Sequence, residues 1–571
     1  MPSLLSNEPS SRHGSLGRKK SVDNGCLSGE EGQFIGVSHG QIIAEVAATT
    51  DLDRDGLVRN RSTLHVCFMS FVLASIPYGL ATCFFYPLIN GGPATIIYGW
   101  LAVSSIILCV AVSLAEITSA HPTAGGVYYQ AFMLLGGRWQ RPISWICGFT
   151  YLAGNILITL AVNFGSTGFL VASINVFESE SGLGVFPASI YQQFLIFVAI
   201  TIVCNLTSAL GNQWLPILDI FSIFWTFAGL IAISVSVLLL AKGGRHSADY
   251  VFGEFAPMSG WPSGWAFCVG LLQAAYATSS TGMIISMCDE VRDPQVQVPR
   301  AMIGTILLNT VAGLLFLIPV VVVLPDVVLL INEASGQPVP VIIKSAVGNT
   351  IGTFFLLIPL IALALFCGIA CTTAASRCTW AFARDGGIPG VKWWGPVHPH
   401  LKIPLNAMGL TMATQIALGC IYFGSETAFN AFSSAGVIFL TVSYAIPIAA
   451  SLFGGRTDVK QGKFSLGRFG MFCNIVSLCM SCGPSGRSFF PGLYVISYIA
   501  LGWSVFAVPL FCMPSYLPVA PQTINYAFAV FAGLTVIAIL WYYIWGYKNF
   551  QGPRTGVLSA SPMDEVHSIR G

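Results

Sequence analysis

From residue 63 onward, apolar residues run in blocks of about 20 or more, the length a helix needs to cross a hydrocarbon core. Windows of that size predict helical spans near 65–90, 94–119, 143–174, 190–210, 214–241, 264–288, 300–324, 350–376, 404–424 and 427–453. An apolar stretch from Phe472 to Pro514 and a last span at 523–547 bring the natural count to twelve, with the limits of the 472–514 region ambiguous. Ahead of the blocks, residues 1–62 are polar (SRHGSLGRKKS, DLDRDGLVRNRS) and are expected to form a disordered tail. Residues 63–550 then form the membrane domain and 551–571 a second tail. No cleavable signal peptide is recognised, so the first span is expected to act as an uncleaved insertion signal.

Two blocks are interrupted near their centres. The first reads FVLASIPYGLATCFFYPLINGGP, with Pro77 and Gly79 midway; the sixth carries the run Thr278, Ser279, Ser280, Thr281, Gly282. Broken helices five spans apart point to inverted-repeat transporters that bind substrate near the midplane. The plainer alternative stays open at this stage: Pro and Gly are common in membrane helices, and Ser and Thr bond back onto their own backbone.

Composition strengthens the membrane reading. The chain of 571 residues is 54% hydrophobic and 9% charged, with mean hydropathy +0.74. Soluble domains carry about 25% charged residues, so most of this surface must face lipid. A formal net charge of +2 gives no reason to expect a nucleic acid partner. The 16 cysteines mostly stand singly in apolar segments, as small hydrophobes rather than a disulfide framework. Cys479 and Cys482 form one CxxC without a second pair, so no metal is expected; no cofactor is expected either. Lysines and arginines fall into the tails and the loops after spans two, six, eight and ten, leaving Lys242, Arg245 and Lys344 for the opposite side and Arg487 unassigned. By the positive-inside rule both termini face the cytoplasm.

Three segments carry a family resemblance: SLAEITSAHPTAGGVYYQ at 113–130, MCDEVRDPQVQVPRAM at 287–302 and ASRCTWAFARDGGIPG at 375–390. Supporting strings are NGGPATIIYGW at 90–100, SGQPVPVI at 335–342 and FSLGRFG at 464–470. Together, over about residues 62–550, they resemble the fungal amino acid/choline/GABA permeases of the amino acid–polyamine–organocation superfamily, the GABA-type branch most of all. The resemblance implies an all-α polytopic protein with a leucine-transporter-like five-plus-five inverted repeat and twelve helices, the first and sixth broken. It implies secondary active uptake of an amino acid, amine or quaternary ammonium compound, commonly with protons as the coupling ion.

The residues fit that implication. An interrupted helix frees backbone groups that cost several kcal/mol each in lipid unless they bind something. Helix N-terminal ends favour a carboxylate and C-terminal ends a cation, so a zwitterion can be held without a buried charged side chain. Candidate substrate contacts are Ser75, Pro77, Tyr78 and Gly79 from span one, and Tyr276, Thr278, Ser279, Ser280, Thr281 and Gly282 from span six. Asn155 and Tyr151 add to these from span three, and Cys371, Thr372 and Thr373 from span eight. An interhelical structural bond is an equal reading for this second group. The resembling permeases carry an aromatic residue within the span-six break, where this chain reads TSSTGM. A quaternary cation is ordinarily held over aromatic faces, so the departure weighs against choline; Tyr78, Phe84, Phe85 and Tyr276 are the alternative rings. Glu116, Asp219, Asp289 and Glu290 are candidates for proton coupling or gating, with Asp289 and Glu290 beside Arg292, and Arg384 beside Asp385, as expected gate or anchoring groups.

One segment departs from the family pattern. Residues 479–500 read CMSCGPSGRSFFPGLYVISYIA, and their removal would join FGMFCNIVSL to LGWSVFAVPLFCMPS as one span of ordinary length. Cys-Met-Ser encoded with TGT and TCN contains GTATGT, a typical fungal intron start, so the segment is read as a retained intron. The leading functional expectation is a permease for a GABA-like amino compound in the plasma membrane rather than the vacuolar membrane. Choline or polyamine transport is the alternative, followed by a non-transporting nutrient sensor of the same fold. An intramembrane enzyme is disfavoured, since HExxH is absent.

Overall fold

The computed structural model describes residues 63–178, 184–211, 214–291, 293–333, 336–423, 428–454, 463–464, 491–519 and 524–553. Among them, eleven helical spans are long and apolar enough to cross a membrane. These are His65–Ile89, Pro93–Ala120, Gly137–Ile174, Ile190–Leu210, Leu215–Leu240, Ser263–Glu290, Pro294–Val322, Thr350–Arg384, Leu405–Phe423, Asn430–Phe453 and Ala527–Asn549. They coincide with the apolar blocks, the first ten as spans one to ten and the last as span twelve. A further helix, Pro491–Phe511, stands between spans ten and twelve. The first part of the 472–514 region, through residue 490, lies outside the described residues.

Each of the first four spans packs against the span five positions further on: one with six, two with seven, three with eight, four with nine. Spans three, four, eight and nine form one interlocked group, while one, two, six and seven form another. Burial separates helices that are all apolar enough to cross a membrane, and the three most buried are less apolar than span twelve. The apolar windows of spans one, three and six are 89%, 83% and 94% buried, whereas that of span twelve is 11% buried. Spans one and six therefore run through the middle of the bundle, where an interrupted backbone meets protein instead of lipid.

At the end opposite the arginine-rich loops, Asn90–Gly91 (β1) pairs antiparallel with Ala256–Pro257 (β2), tying the exit of span one to the approach to span six. Two short helices between spans seven and eight, Val327–Glu333 and Pro338–Val347, lie at the same end. The second begins within the SGQPVPVI string, and Gln337 beside it donates to the carbonyl of Thr82 at the close of span one's second half (3.4 Å). Lys344 on that helix forms an ion pair with Glu178.

Candidate functional site

Span one breaks at Ser75. The helix Thr63–Ala74 stops there, Ser75 takes a left-handed conformation (φ 39°), and Ile76–Thr82 resumes with Pro77 in its first turn. Proline has no N–H, so the carbonyl of Leu73, four residues earlier, loses its helical donor. Span six supplies a replacement: Ser280 Oγ donates to the Leu73 carbonyl at 3.0 Å. Two span-eight thiols also reach it, Cys367 at 3.5 Å and Cys371 at 4.0 Å. A backbone acceptor freed by one proline is thus the point where spans one, six and eight meet.

Span six is not unwound at its centre, as the hydroxyl-rich run suggested. Helices Ser263–Gly270 and Leu272–Thr278 lead into a 3₁₀ helix of 12 residues, Ser279–Glu290. Runs of that kind beyond three or four residues are uncommon. The hydroxyls explain how the backbone tolerates it. Thr278 bonds back to the carbonyl of Ala274 (2.8 Å), Ser279 to Tyr276 (2.8 Å) and Thr281 to Thr278 (2.7 Å). Three of the four hydroxyls in TSST therefore serve their own helix, and Ser280 alone crosses to span one.

The remaining candidates fall around this junction. Gly79 lies against span six so closely that a Cβ there would sit 3.3 Å from that of Ala277. Ser75 donates to the carbonyl of Leu363 in span eight (3.3 Å). Tyr78 reaches span three, its hydroxyl 2.9 Å from the carbonyl of Val162 and 3.1 Å from Ser166 Oγ. Tyr276 is buried, and its hydroxyl has no hydrogen-bond partner among the described residues. The same holds for Thr372 Oγ1 and Asn155 Oδ1, while Asn155 Nδ2 donates to the carbonyl of Tyr151. Thr373 is paired with Ser208 of span four (2.7 Å). A cavity of about 20 Å³ beside the break, lined in part by Thr278, Ser279, Gly282, Tyr444 and Trp503, has room for about one water.

Two tyrosines complete it. Tyr151, from span three, donates to the carbonyl of Gly282, and Tyr444, from span ten, to the carbonyl of Ser279, each at 3.1 Å. Tyr444 thereby brings an aromatic ring from span ten against Gly282 of the span-six string. Sequence reasoning missed Tyr444, because nothing in SYAIP marks it. The Leu73 carbonyl was legible through Pro77.

The four acids divide. Glu290, at the end of span six, forms a buried ion pair with Arg377 of span eight, 2.9 Å apart, where the expectation was Arg292, a residue outside the described set. Asp289 accepts from the backbone N–H of Ala124 (3.0 Å), and Asp385 accepts from Tyr128 (2.8 Å) while lying 3.4 Å from Arg384. Strings 113–130, 287–302 and 375–390 therefore converge on one network at the arginine-rich end, away from the break. Glu116 is half-buried in the last turn of span two. Asp219, buried near the start of span five, lines a cavity of about 10 Å³ with Met69 and Val72 of span one and Thr373 of span eight. Of the string 464–470, Phe464 is described, its N–H donating to Ser119 Oγ. Among the described residues no group of three or more His, Cys, Asp or Glu side chains is arranged to hold a metal ion.

Residues 62–537 match the model of a protein family described as amino acid permease. The chain is 29% identical over 516 residues to a choline transporter of Saccharomyces cerevisiae, covering 89% of this chain and 86% of that protein. It is 28% identical over 503 residues to a polyamine transporter of the same yeast, covering 87% and 77%. With an amino-acid permease of Arabidopsis thaliana it shares 26% identity over 544 residues, covering 93% and 100%.

Proposed function

This chain belongs to the amino acid permease family and is an integral multi-pass membrane transporter, and from that premise we propose that it carries a small zwitterionic amino compound of the GABA type. Transport is secondary active, by alternating access, and proton-coupled. The observation that carries the reading is the junction at Leu73. The carbonyl end of Thr63–Ala74 is the negative end of a helix dipole, and its Leu73 carbonyl is met by the Ser280 hydroxyl from span six. An ammonium group is the natural occupant of such a carbonyl, in place of the Ser280 hydroxyl. No Asp, Glu, Lys or Arg stands among the junction residues named above, so a ligand that brings its own counter-charge is the better fit.

A second reading is choline, the substrate named for one relative. What favours it is the set of rings around the break, Tyr78, Tyr276 and Tyr444, since tyrosine faces attract quaternary ammonium groups. A polyamine needs several negative partners, and Asp289, Glu290 and Asp385 are engaged in the network at the other end. For proton coupling the proposed groups are Glu116 and Asp219, with Asp219 between spans one, five and eight; Asp289 and Glu290 act in gating. The protein resides in the plasma membrane with both termini in the cytoplasm.

The test is uptake of labelled GABA by cells that lack their own permeases and express this chain, competed with choline, putrescine and other amino acids from acidic to neutral pH. Saturable GABA uptake that rises with acidity is expected. Preferential competition by choline would favour the second reading, and no saturable uptake of any compound would overturn the proposal.

A further inference from the structure

Two backbone carbonyls of the 3₁₀ segment Ser279–Glu290, three residues apart, are each held by a phenol from another helix. Tyr444 binds the carbonyl of Ser279, and Tyr151 binds the carbonyl of Gly282. The two rings come from different helices and touch each other, with centroids 6.3 Å apart. Gly282 is what lets Tyr444 in: a Cβ at this position would lie 2.5 Å from the ring. Both hydroxyls are buried and both spend their proton on span six, whereas the hydroxyl of Tyr276, one turn earlier, has no hydrogen-bond partner among the described residues. A 3₁₀ helix rises about 2.0 Å per residue against about 1.5 Å for an α-helix. Rewinding these 12 residues would therefore shorten the segment by about 6 Å and carry its carbonyls away from fixed phenols.

We propose that Tyr151 and Tyr444 are positioning residues for transport, a two-point clamp that holds the second half of span six in its extended 3₁₀ form and sets the balance between that form and a rewound one. The clamp's two hydroxyls are spent on span six and not on the substrate. The clamp acts through span six, and its role in transport rests on the functional reading above. A single neutral hydrogen bond of net ordinary strength shifts such a balance about two- to tenfold. Removing one phenol hydroxyl should move it by that factor, and removing both by about the product.

The experiment has two arms on the full-length protein. Hydrogen–deuterium exchange of the 279–290 region, in purified wild type, Tyr151→Phe, Tyr444→Phe and the double variant, reads the clamp with no substrate present. Faster exchange there by about two- to tenfold per variant, with spans four and nine unchanged, is expected; exchange equal to wild type would overturn the clamp. Uptake kinetics read its consequence: the maximal rate and KM should change by different factors, and equal factors would overturn the positioning role. Gly282→Ala supplies a steric control. It should abolish uptake alone and recover part of it when Tyr444 is also replaced by Ala, which removes the clash but leaves the carbonyl of Ser279 unclamped. No uptake by the wild type, with exchange altered as expected, would sink the transport reading and leave the clamp standing.

Discussion

Pro77 and Ser280 are 203 positions apart in the chain, yet one creates the vacancy the other fills: the proline withholds a donor from Leu73, and the serine provides it. Ser280→Ala should leave that carbonyl to two weak thiol donors and destabilise the protein by about 1–3 kcal/mol, the cost of an unsatisfied buried acceptor; thermal unfolding of the purified protein measures it. Tyr276 is the reverse case, a buried hydroxyl with no hydrogen-bond partner among the described residues. Tyr276→Phe should leave thermal stability equal or higher, while KM rises about two- to tenfold if the hydroxyl bonds substrate. Lower stability with unchanged KM would assign the hydroxyl a structural role. Arg377 and Glu290 are buried together, so Arg377→Met should cost about 3–5 kcal/mol by stranding the carboxylate. Adding Glu290→Gln should recover most of that loss, read by the same unfolding measurement.

At the scale of elements, the interrupted spans differ in kind. Span one is broken by a missing donor and a left-handed serine, span six by a change of helical pitch. Pro77→Ala restores the N–H and lets the two halves of span one join. Because Pro77 sits in a first turn, where proline is tolerated, stability is expected to change by less than the about 3 kcal/mol that proline costs inside a helix, while uptake falls at least tenfold because the freed carbonyl end is lost. Uptake equal to wild type would remove the broken helix from the mechanism. The hydroxyl run in span six was visible in the sequence. Its consequence was not, because a serine or threonine bonds back to an α-helix or a 3₁₀ helix with equal ease, and the tyrosines that select the latter come from spans three and ten.

For the whole molecule, three sequence strings that looked independent, 113–130, 287–302 and 375–390, form one network at the arginine-rich end through Ala124, Asp289, Glu290, Arg377, Tyr128 and Asp385. Protease protection of tags at the two termini should place both on the cytoplasmic side; opposite protection would require an odd number of spans. Residues 491–500, part of the proposed intron, form the first half of helix Pro491–Phe511, and Ser497 lies 3.2 Å from Ser113 of span two; residues 479–490 are outside the described set. Sequencing of the mature message is expected to lack codons 479–500, and their presence would make this helix a genuine addition to the bundle.

By itself the sequence determined the membrane class, the positions of the spans, the asymmetry of basic residues and the two interrupted helices, because hydropathy, charge and proline act locally along the chain. It could not rank the spans by position, since hydropathy does not follow burial span by span: spans six and nine are equally apolar, yet their apolar windows are 94% and 33% buried. Nor could it identify the partners of Leu73, Gly282 and Glu290, which lie hundreds or scores of residues away. Only tertiary packing brought Ser280, Tyr151, Tyr444 and Arg377 to those groups, for a simple physical reason: in a water-free interior, each backbone or charged group left over by one helix must be satisfied by another.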